Sequence, residues 1–537
     1  MTRVLNEVAG FADDVLAGLV GAYPQYVQRV FGGVVRAGES PAGQVAVVIG
    51  GGSGHFPAFS GWVGPGLAHA AVQGNVFASP SASQVHSVCR TAENGGGILL
   101  TFGNYAGDVL HFGQAATRLR AEGHDVRVLP VTDDVASGPA DATELRRGTC
   151  GDLIVFKVAA AAAERGSSLD DVEKVAIRAN ARTRSLGIAF DGCTLPGAAE
   201  PLFRVPAGEM SVGLGVHGEP GIREVPMGTA AQIADLLVDG VLAEEPVRAG
   251  DGYTGRAVAL LNGLGTVKYE ELLIAYARVA ERLAGAGIEV VRPEVGELMS
   301  SLDMAGLSLT VCFLDAELEE LWCDPVETVS FRRGGAPVAA ARVVPEAALA
   351  PATASVVVGT EESKAVARSV RDALAAMNRT ALAHETALGR LDAVAGDGDH
   401  GQGMTLGSTG ALAAADRALS AGAGARSLLI AAGEQWAESA GGTSGALWGS
   451  GLVSFAGVLD DSGRPDVGTI VAGVAAFART LVDVGGAQPG DKTMMDAVLP
   501  FAQALATATE AGAALPDAWR TATATAAEAA ADTAAIV

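Results

Sequence analysis

The sequence predicts an α/β part made of two α/β subdomains, followed by an all-α domain. Three observations carry this. Short apolar β-branched runs ending in glycine alternate with helical patterns through the first third. A second alternation of the same kind runs from about 190 to 333. Beyond an Ala/Pro/Val stretch the strand signals nearly vanish. A chain of 537 residues exceeds one ordinary core. The expected divisions are 1–333 (subdomains about 1–190 and 191–333), a linker at 334–360, and a helical domain at 361–537.

Taken in order, "VAVVIG" (45–50), "GILLTFG" (97–103) and "HDVRVLPV" (124–131) read as strands. "NYAGDVLHFGQAATRLRAEG" between the last two reads as loop, helix and glycine stop. Such alternation argues a parallel sheet with helices on its faces and ligands at the carboxyl ends of its strands. In the second subdomain "MSVGLGVHG", "AVALLNG", "IEVVRP" and "LSLTVCFLD" are the strand candidates. "AAQIADLLVDGVL" and "YEELLIAYARVAERLAGAG" are its helices, the latter with Leu272, Tyr276, Val279 and Leu283 at helical spacing. Residues 332–363 carry turn signals and low complexity, as linkers do. In "EESKAVARSVRDALAAM", Val366, Val370, Leu374 and Met377 share one helical face, and further helical patterns fall at about 408–422, 425–439, 468–484, 493–509 and 515–534.

Composition removes several function classes. A net charge of −24 argues against nucleic acid and against an anionic membrane surface. Phosphate groups stay accessible if a metal or glycine-loop amides supply local positive field. The five cysteines (Cys89, Cys150, Cys193, Cys312, Cys323) form no C-x-x-C pair, so free thiols in a reducing cytoplasm are expected. Glu7, Asp13 and Asp14 interrupt the N-terminal stretch, which argues against a signal segment. No apolar run of the roughly 18 residues a membrane span needs is expected. These features predict a soluble, cytoplasmic protein.

Two groups of motifs carry chemistry. "LDAVAGDGDHGQGM" (391–404) sets Asp392, Asp397, Asp399 and His400 among four glycines, a composition that argues for a loop rather than a helix or strand. Three acids there need a cation between them, and hard oxygens suit Mg2+ or Ca2+. The EF-hand spacing is absent, and Mg2+ shared with substrate phosphates points to a nucleotide. "GGTSGALWG" (441–449) offers amides and the hydroxyls of Thr443 and Ser444 as an anion-binding turn, but lacks the P-loop lysine. "PGDKTMMDAVLP" (489–500) puts Asp491 and Lys492 at a helix start. In the α/β part, "VVIGGGSGHFPAF" (47–59) places Ser53 and His55 on a glycine loop that fails the dinucleotide fingerprint. "GNYAGDVLHF" (103–112) and "GLGVHGEPG" (213–221) add Asp108 and His217 on further glycine-flanked loops.

Six motifs in order, "GGGSGH", "GNYAGDVL", "GVHGEPG", "LDAVAGDGDHGQGM", "GGTSGALWG" and "GDKTMMDAVLP", resemble the dihydroxyacetone kinase family in its single-chain form, and the resemblance covers almost the whole chain. It implies a ketose-binding domain fused to an ATP-binding domain folded as an eight-helix barrel. It implies that His217 holds a small ketose as a covalent hemiaminal, for which its attacking nitrogen must be neutral. Asp108 and His55 would bind the substrate and help remove the hydroxyl proton, with Gly51, Gly52, Ser53 and Phe56 lining the pocket. Asp392, Asp397 and Asp399 would hold two Mg2+ against ATP. His400, Gly401, Gly442, Thr443, Ser444, Asp491 and Lys492 would surround the nucleotide. A homodimer is the implied assembly, with a small ketose as the partner and neither nucleic acid nor membrane.

Two positions depart from the family pattern. Phe56 stands where the family usually has glutamate, which resembles the erythrulose kinase branch and predicts a changed ketose preference. After "TATATAAEAAADTAAIV" the expected glycine-rich loop with a nucleotide arginine is not seen. The rival functions are a flavin-dinucleotide cyclising lyase, a phosphocarrier-fed kinase and, outside enzymes, a ketose sensor. The intact aspartates argue against the sensor, and the fused domain argues for exchangeable ATP.

Overall fold

A computed structural model describes residues 4–249, 252–334, 356–393, 400–440 and 442–533, with backbone alone at 442 and 443. The chain divides into two compact units, Met1–Ala339 and Ala340–Val537.

The first unit holds two sheets. Strands β1 (Val27–Val30), β2 (Gly33–Arg36), β3 (Ala46–Ser53), β4 (Ala70–Val76), β5 (Ile98–Gly103) and β6 (Val126–Val131) form one, in the order β1-β2-β4-β3-β5-β6. Its centre, β4-β3-β5-β6, is parallel as expected, while β1 and β2 form an antiparallel edge hairpin that the sequence did not announce. The second sheet is built from β7 (Thr183–Asp191), β8 (Glu209–Val212), β9 (Arg223–Pro226), β10 (Arg256–Gly263), β11 (Glu289–Val290), β12 (Glu294–Gly296) and β13 (Ala305–Phe313). It is mostly antiparallel, with β13 pairing both β10 and β7 in that sense. A short pair, β14 (Val326–Glu327) with β15 (Arg332–Arg333), closes the unit.

Strand alternation explains how the layers stack. Along β3, Val47 and Ile49 face one core while Ala46 and Val48 face another. Along β10, Val258 and Leu260 share the first of these cores, and Ala257, Ala259 and Leu261 face a third. The shared core lies between the two sheets, and its axis is one helix, Gly151–Glu164. This helix contacts β3, β7 and β13, and nearly every residue in it is buried. Number the helices α1 (Phe11–Ala22), α2 (Ala82–Ala92), α3 (Ala106–Ala121), α4 (Gly151–Glu164), α5 (Leu169–Ala181), α6 (Ala230–Leu242), α7 (Tyr269–Gly285) and α8 (Ala316–Cys323). Helices α2 and α3 then cover the outer face of the first sheet, and α6 and α7 that of the second. Sheets covered on both faces bury strands on both faces, which is why their sequences read as continuous apolar runs.

The second unit is all helical among the described residues: α9 (Glu361–Asp392), α10 (His400–Ser420), α11 (Ala425–Ala440), α12 (Gly442–Ala456), α13 (Val467–Gly485), α14 (Met495–Glu510) and α15 (Leu515–Asp532). That makes seven described helices where the resemblance implied eight. Three sequence expectations need correction. Residues 442–449 of "GGTSGALWG" are not a turn but the start of α12. Likewise "HGQGM" is not loop but the first turn of α10. Glycine weakens a helix by about 1 kcal/mol against alanine, but packing outweighs this. A Cβ on Gly449 would come within 2.6 Å of the Gly433 carbonyl oxygen, so glycine is what lets α12 lie against α11. Third, α13 is long and apolar enough by length and composition to cross a membrane, with mean hydropathy 1.6. It contains Arg479 and Asp483, and it packs Val474 against Leu505, Ala518 and Ala522.

Candidate active site

In the first unit the glycines at the end of β3 lead into the loop bearing His55, and the ends of β4 and β5 bring Phe77, Ser79, Tyr105 and Asp108 beside it. From the second sheet the loop after β8 supplies His217 and Glu219, and the segment before β13 supplies Met299. The side chains and glycines that converge there line a cavity of about 340 Å3. It lies at the carboxyl ends of the parallel strands, where ligands of such sheets bind.

Two rings fix the chemistry of the cavity. The Nδ1 of His55 lies 2.9 Å from the Ser300 carbonyl oxygen, and a carbonyl only accepts, so that nitrogen carries a proton. The Nδ1 of His217 lies 3.0 Å from Glu219 Oε1. The other Glu219 oxygen accepts the His217 backbone N–H at 3.0 Å. Burial alone would raise the Glu219 pKa, but the hydrogen bonds and charge of His217 outweigh it and bring it to about 2. Facing a carboxylate, His217 Nδ1 also donates. The two Nε2 atoms then meet at 2.9 Å. With both Nδ1 atoms donating, this contact becomes a hydrogen bond when one proton lies between the two Nε2 atoms. Burial, and next the charge of His217, lower the His55 pKa to about 3. Phe77 stacks on His55 at 5.1 Å between ring centres. The same ring and Tyr105 each stand edge-on to His217 at 4.9 Å, fixing its plane.

Asp108 sits in the first turn of α3, where the helix dipole favours an anion. The Ser79 hydroxyl donates to its Oδ2 at 2.7 Å, and Oδ1 is buried with no partner among the described residues. Burial raises its pKa to about 6, with the Ser79 hydroxyl and the charge of His217 offsetting part of that rise. A carboxylate poised there suits proton removal from an alcohol near neutral pH.

Of the residues expected at the ketose site, His55, Asp108, His217, Gly51 and Gly52 line this cavity together. Ser53 and Phe56 do not. The Ser53 hydroxyl is spent on the Gly74 carbonyl. Phe56 is 44% exposed and borders a separate pocket of about 120 Å3 with Phe11, Val15 and Leu302. The cause is the bend after Gly54, which sends consecutive side chains 55 and 56 in different directions. Sequence reasoning missed Phe77, Ser79, Tyr105 and Asp152. Only Asp152 left a readable signal, as one of two charged residues, with Lys157, in the apolar run "LIVFKVAAAAA" and its approach.

In the second unit Asp392 ends α9, and its Oδ2 lies 3.4 Å from the backbone N–H of His400 at the start of α10. Asp397 and Asp399 lie outside the described residues. Gly401 packs into α10 beside α9, Ser444 is in the first turn of α12, and Gly442 and Thr443 begin that helix. Asp491 accepts the Gln488 N–H at 2.8 Å, and Lys492 beside it is exposed. The ends of α9, α10 and α12 therefore offer carboxylate oxygen and helix N-termini, a donor chemistry that fits a hard divalent ion with phosphate.

Comparison with known proteins agrees with both units. The Dak1 domain model matches residues 17–330 and the DAK2 domain model residues 394–537. The L-erythrulose 1-kinase of Mycolicibacterium smegmatis is 56% identical over 96% of this chain and 91% of its own length. The D-erythrulose kinase of the same organism is 51% identical over 99% of this chain and 92% of its own. The crystal structure of the dihydroxyacetone kinase from C. freundii in complex with AMP-PNP and Mg2+ superposes with a TM-score of 0.63 at 32% identity, covering 100% of this chain and 95% of that one. Fold and comparisons together define a phosphotransferase acting on an alcohol group. The chain belongs to the dihydroxyacetone kinase family, with its Dak1 and DAK2 domains in one polypeptide.

Proposed function

We propose that this chain transfers the terminal phosphoryl group of ATP to a terminal hydroxyl of a short-chain ketose held covalently by His217, with erythrulose the leading substrate and dihydroxyacetone the alternative. The observation that carries it is the His55–His217 contact, whose shared proton has no use in a resting core but an immediate one when a carbonyl enters. As His217 Nε2 bonds to the carbonyl carbon, the C=O π pair moves to oxygen, and that oxygen takes the proton the two rings held. The positive charge stays on the alkylated ring of His217, against the Glu219 carboxylate, so atoms and charge balance. Only ketones and aldehydes can be captured this way, and capture orients the neighbouring hydroxyl. Asp108 then takes the hydroxyl proton as the oxygen attacks phosphorus.

In the helical unit, Asp392, Asp397 and Asp399 hold Mg2+, while His400, Gly401, Gly442, Thr443, Ser444, Asp491 and Lys492 surround ATP. The bound ions neutralise charge on the transferred phosphoryl group. Erythrulose leads because the two curated relatives named above are erythrulose kinases of opposite hand. A homodimer, a cytoplasmic location and the absence of membrane or nucleic-acid partners complete the reading. The net charge of −24 and the five free cysteines support the location.

The test is ADP release with Mg2+ and ATP, comparing dihydroxyacetone, D-erythrulose and L-erythrulose, with His217→Ala as control. Ketose-dependent ADP that favours one erythrulose and disappears in the control is the expected result. ADP release that ignores ketose would overturn the kinase reading.

A further inference from the structure

Asp152 opens the buried helix α4. It is fully buried, and neither of its carboxyl oxygens has a hydrogen-bond partner among the described residues. An acid so close to a helix start is normally a cap, but here no N–H of the first turn reaches it. The capping role is taken by Asp133, which accepts the Thr149 and Gly151 N–H groups at 2.7 and 2.9 Å and the Thr149 hydroxyl at 2.7 Å. Asp152 instead lines the ketose cavity together with Asp108. Its Oδ2 lies against Gly103, where a Cβ would approach to 3.3 Å. Burial, reinforced by the charges of Asp133 and Asp108, holds the carboxyl well above the usual range and favours the protonated form, which has one O–H to donate and a carbonyl oxygen to accept. Leaving both oxygens unpaired in a dry wall is costly, and a ligand hydroxyl arriving there would satisfy both at once.

We infer that Asp152 recognises the hydroxyl on the non-reacting arm of the ketose, making it a specificity-determining residue of the cavity. The inference rests on the ketose-kinase reading for its substrate class, not for its geometry. Dihydroxyacetone and erythrulose both carry that hydroxyl, whereas hydroxyacetone keeps the carbonyl and the reacting hydroxyl and lacks it. Asp152 thus separates polyhydroxy ketones from simple hydroxyketones, while His217 and Asp108 serve both.

The experiment measures kcat/KM for erythrulose and for hydroxyacetone with the full chain, its Asp152→Asn variant and its Asp152→Val variant. In the Val variant erythrulose falls by about tenfold or more while hydroxyacetone changes by less than about threefold. The Asn variant, which keeps a donor and an acceptor, retains most of the wild-type preference. Should Asp152→Val fail to fold, Asp152→Ala supplies the same ratio. A preference unchanged in the apolar variant overturns the inference, and so does an equal fall for both acceptors, the sign of a merely structural role. Calorimetric titration with the two ketones, without ATP, reads the same ratio from Kd. A preference seen in binding without any ketose-dependent ADP would sink the kinase reading and leave this one standing.

Discussion

The two units assemble their chemistry in opposite ways. In the first, His55, Asp108 and His217 come from distant parts of the chain, and two sheets bring them to one cavity, with the Ser300 carbonyl and Glu219 completing the partners of the ring nitrogens. In the second, the acids expected to bind metal lie within eight residues of one another in sequence, Asp392 to Asp399, between the end of α9 and the start of α10. A site built by tertiary convergence is sensitive to any residue that sets a ring's plane. A site written on one short segment depends on its own residues and on the spacing of the helices behind it.

Breaking the two halves separately is the sharpest way to test this contrast. His217→Ala is expected to lower ketose-dependent ADP release by about a thousandfold or more, since capture and orientation vanish together. Asp399→Asn is expected to lower the same rate by about a hundredfold or more, yet calorimetry should find ketose binding unchanged. Equal loss of ketose binding in both variants would erase the distinction.

Next in size is the dependence on pH. Asp108 must be ionised to accept a proton, and its pKa is raised to about 6. Activity should therefore fall about tenfold for each pH unit below about 6 and level off above it. The same raised value has a cost in stability. The native state prefers the protonated acid, so stability declines as pH rises from the unfolded value near 4 through about 6. Asp108→Asn should remove that cost, giving an inactive protein that melts higher than wild type at neutral pH. The two melting temperatures should converge at about pH 4, and a gap that persists there would contradict the assignment.

Smaller effects probe the helical half. Gly449→Val places a side chain against the α11 backbone and should destabilise by about 1–3 kcal/mol, read as a lower denaturation midpoint, with ketose affinity intact. Smallest of all is Phe56→Ala, expected to leave the ratio of erythrulose to dihydroxyacetone turnover within about threefold, since its ring borders another pocket. A larger change would restore Phe56 to the substrate site.

Much of this could be read in advance, for reasons that differ by element. The strands β3, β5 and β10 announced themselves because burial on both faces leaves an unbroken apolar run. The short edge strands β1 and β2 gave no such run, having too few residues to show a period. His55 and His217 were legible because each stood on a glycine-flanked loop after a strand, and Asp108 because it follows the glycine that ends β5, although it proves to lie in the first turn of α3. Tyr105 and Phe77 were not, because an aromatic residue positioned to hold a ring looks like any core residue until the ring is beside it. The glycines of α12 misled in the other direction, since close helix contact and a loop make the same demand on composition.

One consequence follows from helix α4, buried between the two sheets. Leu153, Ile154, Phe156 and Val158 all lie in the core that both sheets share. Severing the ketose half between its sheets would strip this helix of one wall whichever side kept it. The half is thus expected to melt in a single transition and to resist expression as separate lobes. Evolution can exchange the loops at its rim far more readily than it can exchange either lobe.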